Sequence, residues 1–450
     1  MHLSKQSSAN ALFAPGLLYI AFNQDEGCFA IATEAGFRVY NTNPLKEKTR
    51  REFSPAKVRA AASQADGGSG TGVTAEESGP SIFDSSSGGL GIVEMLHRTN
   101  YLALVGGGKN PRFPPNKVMI WDDLKARIII ELEFKSDIKA VKLTKDRIIV
   151  VLLNRVFIYT LSATPQMLHN FETSDNERGL VAVSAVSGAG GALVAFPGRS
   201  KGQIQIIKLP KGLVWEGAVL SAPVLSIIPA HNTYIQQLAL SHTGHLLATA
   251  SETGTLLRVF DTHSGRLLHE FRRGADKAEI YCISFNAEGT RLCTASDKGT
   301  VHIFNLAQGS IPGSPAASAD PSVGDRSLSS SQNSPRAAPP SSPSASSASG
   351  GASSSSTGNR QSSLSFLSPY LPKYFSSEWS FGHFSLPTES KCLCTFIVDD
   401  LEAPRSTTAP GAEIYVLALC ADGSAYKFSL DARKGGEGQR ESYYRFYSTH

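Results

Sequence analysis

The chain has 450 residues, is 41% hydrophobic and carries a formal net charge of +4 with a pI near 8.6. That apolar content supports a substantial core, while so mild a positive balance excludes a general nucleic-acid binder, whose basic residues form a dominant stripe; any anion site must be local. No run approaches the ~18 apolar residues of a spanning helix, which leaves peripheral contact as the only expected relation to a membrane. The apolar stretch from Ala11 to Phe22 follows Lys5, but Pro15-Gly16 interrupts it and no small-residue cleavage pattern follows. It reads as a first strand and not as a signal peptide.

Along the chain one strand signature recurs: a turn residue, then β-branched and aromatic residues, then a polar stop. Its seven copies are Gly36 to Tyr40, Asn116 to Trp121, Asn154 to Tyr159, Gly202 to Ile207, Gly254 to Phe260, Gly299 to Phe304 and Gly423 to Phe428. From the second to the sixth the spacing is about 40 to 50 residues, the length of a four-stranded propeller blade. Each copy reads as the third strand of a blade, preceded by an apolar strand such as Leu246 to Ser251 and a turn such as Glu252-Thr253-Gly254 or Asp297-Lys298-Gly299. Helical periodicity is almost absent. The expected fold is therefore all-β, one seven-bladed, WD40-like β-propeller over residues 1–450, whose closure into a ring leaves only short edges.

Two intervals are too long for a blade. Residues 62–90 are rich in Gly, Ser and Ala, and 307–363 are almost entirely Ser, Pro, Ala and Gly. Neither composition can bury a core. They are expected to be disordered loop insertions, one in the region of blade 2 and one, 307–370, in blade 6, because a cut between blades would open the ring. The second ends in an apolar and aromatic cluster, Leu364 to Phe375, and the chain from Tyr374 onward reads as the start of the outer strand of blade 6.

Six cysteines are spread thinly among strand-like segments, as buried free thiols are, and fit a reducing compartment. Cys392-x-Cys394 is one residue short of a zinc knuckle, and no His or Cys pair stands at ligand spacing nearby, so neither a metal nor a cofactor is expected. Gly106-Gly107-Gly108-Lys109 lacks the spacing and following helix of a phosphate loop, and Gly188 to Gly191 lacks the helix of a dinucleotide site. Both read as turns. No Ser-His-Asp or paired-carboxylate constellation can be argued from spacing, so an enzyme reading has no support.

The chemistry concentrates at Phe271-Arg272-Arg273-Gly274, after the strand Arg266 to Glu270. Neighbouring side chains of an extended chain point to opposite faces, so Arg272 and Arg273 should serve two different anion pockets. A guanidinium offers a planar fork of donors to phosphate oxygens, and Gly274 would let the backbone turn away without blocking the approach. Thr255 and Arg258 follow the turn of blade 5, and Thr300 and His302 follow that of blade 6, so equivalent positions flank the pair.

A Phe-Arg-Arg-Gly sequence between the fifth and sixth repeats of a seven-bladed propeller resembles the hallmark of PROPPINs, the phosphoinositide-binding propellers of autophagy. The likeness extends through Leu17 to Asp25, Gly106 to Pro111, Asn116 to Asp122, Ala248 to Phe260, Ile280 to Ile283 and Leu371 to Phe375, nearly the whole chain outside the insertions, and is greatest to the WIPI type. The resemblance implies a first headgroup pocket of His231, Thr249, Ser251, Gly254, Thr255, Arg258 and Arg272. It implies a second of Arg273, Ser296, Thr300 and His302, with Gly274 closing the motif. His231 has a second reading, as the histidine with which WD40 blades hydrogen-bond strand hydroxyls such as Thr249. Leu364, Phe366, Leu367, Tyr370 and Leu371 correspond to the family's membrane-inserting loop.

The function so implied is a non-enzymatic effector that reads phosphatidylinositol 3-phosphate and phosphatidylinositol 3,5-bisphosphate. It would be cytoplasmic and peripheral on preautophagosomal and endolysosomal membranes, and monomeric. It would recruit autophagy machinery, including a lipid-transfer protein through blades 1 to 3, where Asn23, Asp25 and Asp122-Asp123 are candidate contacts or else turn-stabilising residues. The competing reading is a generic WD40 scaffold whose arginine pair meets an acidic peptide.

Overall fold

The computed structural model describes residues 2–5, 13–53, 88–185, 191–210, 225–306, 358–359, 377–398 and 413–448. These form seven sheets, antiparallel except for one parallel edge strand in each of two, arranged as the blades of a β-propeller, with no helix among the described residues. From the channel outwards, blade 1 runs Leu17–Phe22, Cys28–Thr33, Gly36–Asn41, Lys46–Glu52. Blade 5 runs Ile235–Leu240, Leu246–Ser251, Leu256–Asp261, Leu267–Arg272, and blade 6 Ile280–Phe285, Arg291–Ser296, Thr300–Asn305, Gly382–Ser385. All seven signature copies fall on the third strand of their blade.

Burial explains why that pattern was readable. Leu17–Phe22 is buried at every position because neighbouring blades cover both of its faces, and its sequence is a continuous apolar run. The outer strand Lys46–Glu52 faces solvent and is built of Lys, Glu, Arg and Thr. Core clusters lie between blades: Phe271 of blade 5 stacks on Phe304 of blade 6 with ring centroids 4.8 Å apart.

Among the described residues no strand is shared where the ring closes. Tyr40 donates its hydroxyl to the carbonyl of Phe446 at 2.8 Å, Phe29 packs on the Phe446 ring at 5.3 Å, and Ala14 N–H reaches Ala421 O at 2.8 Å. Blades 1 and 7 are thus each built from consecutive sequence and sealed by side-chain contacts and a backbone hydrogen bond.

Four expectations about elements change. The first strand does not span Ala11 to Phe22: it begins at Leu17, and a shorter strand, His2–Ser4, precedes it and pairs with it inside the channel. Residues 54–87 lie outside the described residues, but their flanks belong to the outer strand of blade 1 and the inner strand of blade 2. The first insertion therefore runs between blades, and Leu90, assigned to it, is a buried strand residue. A long connection there is tolerated because the faces of blades 1 and 2 pack in one apolar cluster whatever joins them, and closure entropy grows only slowly with length.

The third and fourth strands of blade 6, Thr300–Asn305 and Gly382–Ser385, flank the second long interval. Leu364, Phe366, Leu367, Tyr370 and Leu371 fall outside the described residues. Asn359 does not: its side chain accepts from Asn305 N–H at 2.8 Å and donates to Asn305 O at 2.7 Å and to Glu378 at 2.6 Å, tying the insertion to the end of the third strand. Tyr374, where the outer strand of blade 6 is expected to start, lies outside the described residues, which resume at Ser377. Glu378–Trp379 instead runs parallel to Leu267–Arg272 as a fifth strand of blade 5, and the outer strand of blade 6 starts at Gly382. Gly436–Glu437 covers the edge of blade 6 in the same way.

Candidate anion-binding site on blades 5 and 6

Strand register sorts the candidate residues onto faces. Thr249 pairs with Arg258, and Arg258 with Glu270, so Thr249, Ser251, Arg258, Glu270 and Arg272 share one face of blade 5. Phe271 lies on the other face, in the core shared with blade 6, and Arg273 follows it two residues later with its N–H still in the ladder, on Thr255 O at 2.9 Å. In blade 6 Thr294 pairs with His302 and His302 with His383, which places Ser296, Thr300 and His302 on the face that carries Phe304. Arg258 and His302 occupy equivalent positions, each opposite a buried threonine. The two arginines of the motif thus face opposite sides of blade 5.

Neither is the solvated side chain that an Arg-Arg pair at a strand end usually is. Arg272 is 3% and Arg273 6% exposed. Arg273 donates from Nε to Gly254 O at 3.0 Å and from its fork to Asp276 O, while Asp297 and Asp276 act on it through space. Its burial presses the guanidinium pKa down from the ordinary value, and those two acids oppose the shift.

On the first face, His231 Nε2 shares a hydrogen bond with Thr249 Oγ1 at 2.9 Å, and Thr249 donates to Arg258 O at 3.4 Å. The histidine–threonine bond of ordinary WD40 blades is therefore present. Arg258 is tied at both ends, to Glu270 at 2.9 Å and Ala230 O at 2.7 Å. Ser251 Oγ lies 3.0 Å from Thr253 Oγ1 beside the turn made by Gly254, whose φ of +60° and approach to Ala278 O require glycine there. On the second face, Thr300 Oγ1 and His302 Nε2 are 3.1 Å apart, His302 Nδ1 meets Ser380 Oγ at 3.3 Å, and Ser296 Oγ accepts from Lys298 N–H at 3.4 Å.

The histidines behave alike. Burial lowers the pKa of His231 to about 4, with Arg258 adding to the effect. Burial lowers that of His302 to about 4 as well, with Arg273 and His383 adding to it. Both are neutral at pH 7, each with a nearby arginine supplying the positive charge. Around Gly274 a β-carbon would meet no heavy atom within 4 Å and its φ is not left-handed, so the chain itself does not demand glycine there, and the space beside it is open.

Three residues of this region carried no usable signal. Glu270 sits next to the motif but becomes Arg258's partner only through strand register. Ser377 donates to Glu270 at 3.2 Å and Ser380 meets His302, and both arrive from beyond the long insertion.

The sequence profile described as PROPPIN matches residues 87–324. An SVP1-like protein 2 of Pichia angusta is 37% identical over 84% of this chain and 83% of its own length. The chain belongs to the PROPPIN family. Other SVP1-like relatives align over 62% to 65% of their own length. Among solved structures, Kluyveromyces marxianus Hsv2 superposes with a TM-score of 0.60 at 19% identity, covering 96% of this chain and all of that one. A complex of Kluyveromyces lactis Atg21 with the coiled coil of an Atg16 gives 0.58 at 20% identity over 96% of this chain and 100% of that one. Both share the PROPPIN fold. PROPPINs are phosphoinositide-binding propellers of autophagy, peripheral on membranes and of effector or scaffold type, not enzymes.

Elsewhere in this PROPPIN, polar residues are taken up by the structure. Asn23 is buried, accepts from Cys28 N–H at 3.0 Å and donates to His97 O at 3.2 Å. Asp122 holds Asn100 and the N–H groups of Leu124 and Lys125, and Asp123 holds Arg51 and the Trp121 indole. Of the four candidate partner contacts only Asp25 presents an exposed carboxylate, paired with Arg98 at 2.9 Å. Lys109 N–H is occupied by Glu34 at 2.9 Å, as suits a turn, and of Gly188 to Gly191 only Gly191 is among the described residues. All six cysteines are buried and free. Among the described residues no group of three or more His, Cys, Asp or Glu is placed to hold a metal ion.

Proposed function

We propose that this PROPPIN binds phosphatidylinositol 3-phosphate and phosphatidylinositol 3,5-bisphosphate through two headgroup pockets, one on each face of blade 5. The observation that carries the reading is the pair of consecutive arginines, both more than nine-tenths buried and aimed to opposite faces, where Thr249 and Ser251 of blade 5 are matched by Thr294 and Ser296 of blade 6 and Arg258 by His302. Burying two guanidinium ions costs free energy that an apolar rim would not, and their fork geometry suits phosphate oxygens. The first pocket uses His231, Thr249, Ser251, Gly254, Thr255, Arg258 and Arg272, and the second Arg273, Ser296, Thr300 and His302.

Two sites on one rigid body reinforce each other on a vesicle. Docked by this rim, the propeller would bring the insertion of blade 6 against the bilayer, where Leu364, Phe366, Leu367 and Leu371 enter the interface and Tyr370 sits at headgroup level. Flotation with liposomes of defined phosphoinositide isomers tests the reading. Flotation that ignores the isomer present would overturn it. Changing Leu364, Phe366 and Leu367 to Ser should reduce liposome binding and spare binding of the soluble headgroup.

The protein acts as a monomer on autophagic and endolysosomal membranes and recruits autophagy machinery, including a lipid-transfer protein at blades 1 to 3, where Asp25 is the remaining candidate contact. The complex of Atg21 with an Atg16 coiled coil supports protein recruitment by this fold. A scaffold that takes an acidic peptide at the arginines is the second reading, and flotation separates the two.

A further inference from the structure

The two pockets differ in one respect that symmetry between the blades conceals. Arg273, in the second, contacts the carbonyls of Gly254 and Asp276. Arg258, in the first, already holds an anion: Glu270 Oε2 lies 2.9 Å from its Nε. The carboxylate's other oxygen, Oε1, accepts from Ser377 Oγ at 3.2 Å, and Ser377 is buried. Ser377 leads into Glu378–Trp379, the strand that covers the edge of blade 5 and pairs Trp379 with Arg272. A carboxylate is therefore fixed among the first pocket's arginines by the segment that returns from the blade 6 insertion.

We propose that Glu270 is an internal competitor that sets the affinity of the first pocket, making it the weaker of the two. This rests on the phosphoinositide reading of that pocket. A phosphate approaching Arg258 meets a like charge a few ångströms away in a partly desolvated site, where such repulsion is not fully screened. To bind, the headgroup must share Arg258 with Glu270 or displace it from Ser377. A headgroup with more negative charge is drawn more strongly to the arginines but also repelled more strongly by Glu270, so the residue tempers the preference for highly charged headgroups. The hydrogen bond from Ser377 makes the end of the insertion part of this control, since movement of that segment frees the carboxylate to turn away.

The test uses the full chain and soluble inositol 1,3-bisphosphate in titration calorimetry. An Arg273→Ala background isolates the first pocket and an Arg272→Ala background the second. Glu270→Gln, which keeps the shape and a hydrogen bond to Arg258, should tighten the first pocket about tenfold and leave the second within about twofold. Ser377→Ala should tighten the first pocket by a smaller factor. Unchanged or weaker binding in a folded Glu270→Gln variant would overturn the proposal and make Glu270 a support for Arg258. Should Glu270→Gln fail to fold, Ser377→Ala decides, and a loss of affinity there counts against the idea. Absence of any headgroup binding by the unaltered chain would instead sink the reading of the pocket itself.

Discussion

Blades 1 and 2 and blades 5 and 6 both place charged and amide side chains at strand ends, yet they use them differently. Asn23 and Asp122 are buried, and their polar atoms are met by neighbouring N–H groups, a carbonyl and an amide, so they hold turns in place. Arg273 is equally buried, but its fork rests on two carbonyls beside a neutral histidine, and among the described residues no carboxylate touches it, Asp297 and Asp276 acting only through space. A polar group whose charge and hydrogen bonds the protein itself completes is explained by folding. One whose charge is left over, at a cost in desolvation, points to a ligand.

The comparison can be broken most directly at the arginines. Arg272→Ala with Arg273→Ala should abolish flotation with phosphatidylinositol 3-phosphate liposomes, each charge-assisted contact contributing about 1.5 to 3 kcal/mol, while circular dichroism stays that of the native propeller. Flotation equal to that of the unaltered protein would refute the assignment. Asn23→Ala should do the opposite. It leaves Cys28 N–H and His97 O without their partner and should lower stability by about 1 to 3 kcal/mol in urea, with headgroup affinity unchanged in the folded protein.

The histidines give a comparable effect through pH. Each has a folded-state pKa of about 4 against 6.5 for the free side chain, so between these values the unfolded chain binds more protons. Their contribution is fully present above pH 6.5 and is lost as pH falls towards 4, by about 2 kcal/mol per histidine at pH 5. Replacing His231 or His302 with Gln should therefore reduce the loss of urea resistance between pH 7.5 and 5. An unchanged pH slope would mean that these rings are charged in the folded protein. The smallest effect is expected at Asp25, an exposed ion pair with Arg98: Asp25→Arg should leave stability and liposome binding within error. If it nevertheless weakens recovery of the lipid-transfer protein, blades 1 to 3 gain their partner surface.

Much of this was legible in the sequence, for identifiable reasons. Third strands such as Leu256–Asp261 sit between a glycine turn and a polar stop and carry buried apolar residues, here Leu257, Val259 and Phe260, so seven of them announce seven blades. The opposite facing of Arg272 and Arg273 follows from strand alternation alone. Glu378–Trp379 could not be read: two residues carry no periodicity, and their partner strand ends more than a hundred residues earlier, at Arg272. His2–Ser4 failed for the same reason of length. The Arg258–Glu270 pair depends on the register of the hairpin between them, which a β-bulge shifts at Val259/Phe260 and which no local pattern records.

The edge strands also bear on how the protein is made. Because the sheets are assembled chiefly from consecutive strands, most of each can form as the chain leaves the ribosome, in the N-to-C order in which nascent proteins fold. Blade 5 is an exception, since its edge waits for Glu378–Trp379, and the edge of blade 6 waits for Gly436–Glu437. A nascent chain that has just released Arg272 and Arg273 therefore holds both guanidinium groups while Ser377, Ser380 and the covering strand are still to come. The complete rim exists only once Ser377, Ser380 and Gly436–Glu437 have been made, so a shorter nascent chain lacks the assembled surface that the folded propeller presents.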